Sequence, residues 1–331
     1  MVTFSANLGF LWADLPLPAA IRAAKAAGFE AVECHWPYAT PKAEIRAALK
    51  ETGFEMLGLN TPKSAGGIGQ FGLSALPGHE ALARAVIDQS LSFADDIGAR
   101  SLHVMAGIAS GAAAQASFCA ALTHACHQAQ QSGLTILIEP LNRYDAPGYF
   151  LNSLAQAEEI ITSVNQPNLK LMFDCYHVER SEGDVITQLQ ARLPLIGHIQ
   201  FASLPNRKSP DQGTLDYTQV FAAIEAFGWT RPLGAEYHPD GVTENSLDWM
   251  HTLRPQSSEQ TQKATQRVAI CNTIEKLGCG SWIYSRYDDL HTYIEIRVQK
   301  FLVVYSRNLR TDIRSTLTKR PVLKTIGGIN L

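Results

Sequence analysis

Along the first 250 residues, short apolar or β-branched runs alternate with longer Ala-rich stretches whose apolar positions recur every three or four residues. The short runs predict strands at residues 4–8, 31–34, 56–60, 101–105, 135–139, 169–174, 196–201 and 233–237. The longer stretches predict helices at 17–27, 42–52, 79–97, 112–132, 154–164, 184–193, 217–227 and 243–250. Gly28, Gly53, Gly98 and Gly133 stand where four of these helices stop and a strand follows. Glycine ends a helix there because it accepts the left-handed backbone at little steric cost. Strict alternation of strand and helix requires a mostly parallel sheet. Eight such units in about 250 residues is the size of a (β/α)8 barrel. The competing doubly wound open sheet would carry a Gly-rich turn after its first strand. Here that turn reads NLGFLWADLP, without G-x-G-x-x-G. The expected fold is therefore α/β, a (β/α)8 TIM barrel with an extra C-terminal segment.

Composition sharpens this picture. The 331 residues are 46% hydrophobic and 18% charged, so the chain can bury a large core and is not of the disordered class. No apolar run reaches the ~18 residues of a membrane-spanning helix. The start lacks a basic leader and already carries Asp14. Six scattered cysteines form no C-x-x-C pair, and together these features point to a cytoplasmic protein.

The formal charge of −3 hides an asymmetry. Residues 251–331 hold 13 Lys and Arg against 6 Asp and Glu, whereas residues 1–250 hold 15 against 25. The break falls in the polar, Gln-rich stretch 254–266. It divides a barrel domain, 1–252, from a basic extension, 253–331. An acidic body argues against nucleic acid as a partner. In the extension, residues 298–309 read equally well as strand or helix.

If the fold is a barrel, chemistry belongs at the C-terminal ends of the strands. Glu139, Asp174, Gln200 and Glu236 end four successive strands at spacings of 35, 26 and 36 residues, about one strand–helix unit each. Three carboxylates at one point repel one another unless a cation sits between them. Oxygen donors with an amide suit Mg2+ or Mn2+ better than zinc. The competing reading makes each carboxylate an N-cap of the helix that follows, which is plausible singly but not for all four.

His177 stands three residues past Asp174. His103 and His198 lie inside apolar strands and read as core histidines with one hydrogen-bond partner each. Arg207, in the loop after the seventh strand, is either solvated or able to grip a substrate carboxylate. Cys175 has no identifiable base. The Gly-rich stretch 64–72 does not match a P-loop and reads as a flexible lid.

The segments GFEAVECHWPY (28–38), LHVMAG (102–107), LIEPLNRYDAPGYFL (137–151), LKLMFDCYHVER (169–180), IGHIQFASLPNRKSPDQGTLDY (196–217) and LGAEYHP (233–239) resemble the hydroxypyruvate isomerase family. That family lies within the xylose isomerase-like barrels and includes 2-oxo-tetronate isomerases. The resemblance spans roughly residues 1–252. It implies a divalent cation, Mg2+ or Mn2+, held by Glu139, Asp174, Gln200 and Glu236. It also implies Glu139 and Glu236 as an acid/base pair, and His177 and Arg207 as substrate contacts. The implied reaction interconverts hydroxypyruvate and tartronate semialdehyde through an enediolate, with a small hydroxy- or oxo-acid as ligand and a homo-oligomer compatible with it.

This chain departs from the family after the third strand. Residues 61–78 lack the family's Gly-Asp-Trp and Glu-Arg, and Lys63 is their only charge. Lys63 is thus a second candidate for the substrate carboxylate. The extension, an appended segment or the product of a shifted reading frame, has no family counterpart. Alternatives on the same residues are a 2-oxo-tetronate isomerase, a ketose epimerase, an inosose dehydratase, a three-zinc DNA-repair endonuclease and a non-enzymatic sugar-acid-binding protein.

Overall fold

The computed structural model describes residues 2–63 and 71–253, together with the backbone of three strands between 282 and 307. The chain forms two compact units, Met1–Gln256 and Ser257–Leu331. The first is the expected barrel. Its strands are β1 (Phe4–Asn7), β2 (Ala31–Glu33), β3 (Leu59–Asn60), β4 (Ser101–His103), β5 (Thr135–Ile138), β6 (Leu169–Asp174), β7 (Ile196–Phe201) and β8 (Leu233–Ala235). They pair in parallel in the order β2-β1-β8-β7-β6-β5-β4-β3. A parallel bridge between Val32 and Met56 brings the two ends together.

The helices are α1 (Leu17–Ala26), α2 (Lys42–Thr52), α3 (Glu80–Ile97), α4 (Gly111–Ala129), α5 (Leu154–Val164), α6 (Cys175–Ser181), α7 (Val185–Arg192), α8 (Tyr217–Ala226) and α9 (Trp249–Thr252). Gly53 and Gly98 stop α2 and α3 as expected, at φ 69° and 72°, whereas α4 ends at Ala129 with Gln130 as its cap, before Gly133. Helix α6 is not foreseen by the pattern. Asp174 nucleates it by accepting the backbone N–H of Tyr176 at 2.8 Å. The helix expected at 243–250 is instead a 3-10 turn, Thr243–Ser246, followed by the single turn of α9. Its hydroxyls are committed elsewhere, since Ser246 Oγ donates to the Thr243 carbonyl at 2.7 Å and Thr243 Oγ1 accepts from Trp12 N at 2.9 Å.

This last segment packs onto the aromatic core. Trp249 is fully buried, with its ring 4.9 Å from Phe4 and 5.3 Å from Phe201 between centroids, and its indole N–H donates to Tyr237 Oη at 3.1 Å.

Among the described residues no helix is long and apolar enough to cross a membrane, and Cys34, Cys119, Cys126 and Cys175 are free thiols. The second unit contains an antiparallel sheet of β9 (Trp282–Asp288), β10 (His291–Val298) and β11 (Phe301–Arg307), with β10 in the middle. Most of 298–309 is thus strand rather than helix. The linker-like stretch 254–266 and residues 64–70 of the Gly-rich loop lie outside the described residues.

Replacing Trp249 with Ala is expected to lower unfolding free energy by about 3 to 5 kcal/mol, because it empties a fully buried aromatic site. Urea denaturation followed by circular dichroism measures this, and Trp249→Phe is expected to recover much of the loss.

Candidate active site

Strand register brings the four oxygen-bearing residues to the same end of the barrel. Glu139 follows β5, Asp174 ends β6, Gln200 lies in β7 and Glu236 follows β8. Asp174 pairs with Gln200 across β6 and β7, and Gln200 pairs with Gly234, two residues before Glu236. All four are at least nine-tenths buried. Ligand atoms of Glu139, Asp174 and His177 lie within 4.8 Å of one another. The N-cap reading of Asp174 also holds, since its Oδ1 caps α6 while its Oδ2 faces the cluster.

Arg207 joins the carboxylates directly. Its Nη2 donates to Glu236 Oε2 at 2.8 Å and lies 3.3 Å from Asp174 Oδ2. Arg207 holds a left-handed backbone (φ 53°), and its guanidinium lies near the rings of Phe10 and Tyr176 at 5.0 and 5.1 Å. His35, from the segment after β2, places Nε2 2.7 Å from Glu236 Oε1.

These contacts separate the acids. Burial pushes Glu139 up, and the neighbouring Glu236 and Asp174 charges push it further. Burial also raises Asp174, to about 7, against the pull of Arg207. Burial acts the same way on Glu236, but Arg207 and the hydrogen bond from His35 outweigh it and hold this carboxyl well below its ordinary value. Arg207 answers in kind: burial alone would lower it, and the surrounding carboxylates raise it instead.

The donor set suits a hard divalent cation. Glu139 Oε1 and Gln200 Oε1 are buried without hydrogen-bond partners, a costly state that a cation would relieve. His177 suits it less. Burial lowers its pKa to about 3, so the ring is neutral. Its Nδ1 receives the backbone N–H of Asn142 at 3.0 Å, which leaves the ring proton on Nε2. That nitrogen faces Asp174 and Glu139 at 3.7 and 3.8 Å as a donor, not as a free lone pair. His177 therefore stands beside the carboxylates with its Nε2 proton toward them.

Other candidates fall differently. The Lys63 ammonium lies 3.7 Å above the Trp36 ring, whose neighbour His35 is the partner of Glu236, so Lys63 stands two side chains away from the carboxylates. His198 has one carboxylate partner, Glu33, as a core histidine should. His103 does not fit that reading, because both of its ring nitrogens lack hydrogen bonds and Glu139 Oε2 is 3.7 Å from Nδ1.

Sequence reasoning assigns no role to His35 or Glu33. The available signals were a carboxylate and an imidazole at the end of an apolar strand, opposite small residues. A Cβ at Gly9 would lie 2.1 Å from His35 Nδ1, and one at Gly234 would lie 2.6 Å from Glu33 Oε1.

A family model described as the xylose isomerase-like TIM barrel matches residues 21–253. A 2-oxo-tetronate isomerase of Cupriavidus necator is 39% identical over 254 residues, covering 76% of this chain and 98% of that protein. A Homo sapiens protein provisionally named hydroxypyruvate isomerase is 39% identical over 261 residues, covering 75% of this chain and 94% of its own length. Among solved structures, a Brucella melitensis protein titled AP endonuclease, family 2, superposes with a TM-score of 0.73 at 32% identity, covering 77% of this chain and all of that one.

Removing the guanidinium tests the electrostatics of the cluster. In the chelator-treated chain, Arg207→Ala is expected to cost about 3 kcal/mol at pH 7.5, because it leaves buried carboxylates without their counter-charge. In the parent, Glu236 is held below its ordinary value near 4.5, so its pairing with Arg207 persists at pH 5. In the variant the acids take up protons as pH falls, so the deficit should narrow by pH 5. Urea titrations at the two pH values check both parts.

Proposed function

The chain belongs to the xylose isomerase-like TIM-barrel family, in its hydroxypyruvate isomerase branch, and from that premise we propose that it is a metal-dependent isomerase interconverting hydroxypyruvate and tartronate semialdehyde. The observation that carries this reading is the meeting of Glu139, Asp174 and Glu236 in a buried site where a carboxylate oxygen of Glu139 and the amide oxygen of Gln200 have no hydrogen-bond partner. Residues 1–252 hold the whole proposed site.

Glu139 and Glu236 follow strands that are three places apart in the sheet order, so they face a substrate from different sides. One takes the proton from the hydroxyl-bearing carbon, and the proton is returned to the neighbouring carbon by the same or the other carboxyl. The enediolate between these two steps carries negative charge on oxygen. A divalent cation, Mg2+ or Mn2+, held by Glu139, Asp174, Gln200 and Glu236 would polarise the carbonyl oxygen and offset that charge. His177, with its proton on Nε2, is placed to donate to a substrate oxygen. Arg207 and, from the rim, Lys63 supply positive charge for the substrate carboxylate. His35 keeps Glu236 in one orientation through its 2.7 Å contact.

A four-carbon 2-oxo acid is the second reading, favoured by the equal 39% identity to the Cupriavidus 2-oxo-tetronate isomerase. A three-zinc nuclease is not favoured. Zinc seeks more nitrogen or sulfur donors than this set offers, and the first 250 residues are net acidic.

Proton NMR of hydroxypyruvate in D2O with the full chain and Mg2+ should show tartronate semialdehyde forming, with solvent deuterium entering at carbon. Chelator should stop both, and Mg2+ or Mn2+ should restore them. Under the same conditions Glu139→Gln and Glu236→Gln should each lower turnover by about a thousandfold with the circular dichroism spectrum unchanged. Near-normal turnover in either variant defeats the assignment. Deuterium uptake into a four-carbon 2-oxo acid but not into hydroxypyruvate selects the second reading.

A further inference from the structure

Glu33 closes β2 and is 3% exposed, on the inner side of the barrel. Its two oxygens are fully used. Oε1 accepts from Asn7 Nδ2 at 3.0 Å and from Gln200 Nε2 at 2.8 Å. Oε2 accepts from Ser5 Oγ at 3.2 Å and lies 2.5 Å from His198 Nε2. Four donors from β1 and β7 thus converge on one carboxylate.

Glu33 reaches Gln200 across two intervening strands, since the sheet order there is β2-β1-β8-β7. The crossing is open because β8 carries Gly234 at that level. Any Cβ at Gly234 would lie 2.6 Å from Glu33 Oε1 and 2.8 Å from Gln200 Cγ.

A carboxylate of this kind can only accept hydrogen bonds, so it selects one end of the Gln200 amide. The NH2 group must face Glu33, because the reversed amide would set oxygen against oxygen at 2.8 Å. Gln200 Oε1 is thereby turned away from Glu33 and left buried without a partner, on the residue that pairs with Asp174. An amide free to rotate would offer a cation its NH2 group as readily as its oxygen.

We propose that Glu33 is a positioning residue that locks Gln200 with its carbonyl oxygen presented to the carboxylate cluster. The inference rests on the reading of Gln200 as a cation ligand. Glu33 itself touches neither cation nor substrate. It acts through the orientation of one neutral ligand that has no charge of its own to orient it.

The test is Mn2+ binding by calorimetry to the full, chelator-stripped chain, with thermal unfolding as the control for folding. Glu33→Asp keeps the charge but withdraws the acceptor by one methylene, and Glu33→Gln removes the charge. Both are expected to weaken Mn2+ binding by about tenfold or more. In the Gln200→Ala background no amide remains to be oriented, and there Glu33→Asp is expected to change affinity by less than about threefold.

An affinity in Glu33→Asp equal to the parent's overturns the inference. So does an equal loss in both backgrounds, which would assign Glu33 to packing alone. Failure of the parent chain to bind Mn2+ overturns the functional reading itself, and a parent that binds tightly with Glu33 variants unaffected overturns only the lock. If Glu33→Gln does not fold, Glu33→Asp decides the question.

Discussion

The structure turns on placing three carboxyl groups, Glu139, Asp174 and Glu236, in one buried space with a single guanidinium among them. Burial and mutual repulsion both disfavour the charged forms, and the raised positions of Glu139 and Asp174 are the direct result. Much of the surrounding architecture manages that cost. Arg207 accepts a left-handed backbone to reach two of the acids, Asp174 is tied to the first turn of α6, and His35 fixes Glu236. Asn142 fixes His177 through its backbone N–H and is held in turn by Asp145, which also accepts from Tyr176.

The barrel meets this demand through strand register. Strands β6, β7 and β8 bring Asp174, Gln200 and Gly234 to one level, and the residues just past β5 and β8 complete the ring. Glycines matter where a long side chain must cross a strand. Gly9 makes room for His35, and Gly234 makes room for the Glu33–Gln200 contact. These are requirements of space, since neither glycine carries a positive φ. Elsewhere on the barrel, Trp249 packs its ring against Phe4 of β1 and Phe201 of β7.

What the sequence made legible follows from the range of the interactions. Strand–helix alternation and the Gly53 and Gly98 stops are local signals, and they placed the eight units with errors of a few residues at the ends. The places of Glu139, Asp174, Gln200 and Glu236 at strand ends were legible because their spacings of 35, 26 and 36 residues each match about one strand–helix unit. Glu33 and His35 were not legible as parts of the site. Their partners, His198 and Glu236, lie 165 and 201 residues away, and nothing near Glu33 or His35 in the chain encodes them. His103 failed for a related reason, since burial was legible from its apolar neighbours and the absence of a partner was not. The helix expected at 243–250 failed because Thr243 Oγ1 accepts from Trp12 N across the fold and Ser246 Oγ, in contact with Tyr237 Oη, bonds back to the Thr243 carbonyl, interactions that compete with helix.

Charge balance links the cluster to the proposed chemistry. Fully ionised, the three carboxylates and Arg207 leave two negative charges in a buried space, and one divalent cation cancels them where a monovalent cation would not. On the proposed reading, the raised Glu139 and Asp174 favour retained protons without a cation, so cation binding would release protons and tighten as pH rises. Gln200 fits this balance because it offers a fourth oxygen without a fourth negative charge. On the proposed reading a substrate carboxylate adds a further negative charge, more than Arg207 answers alone while it is paired with Glu236 and Asp174. Lys63, above Trp36 and two side chains from Glu236, is the second cation proposed to share that charge with Arg207.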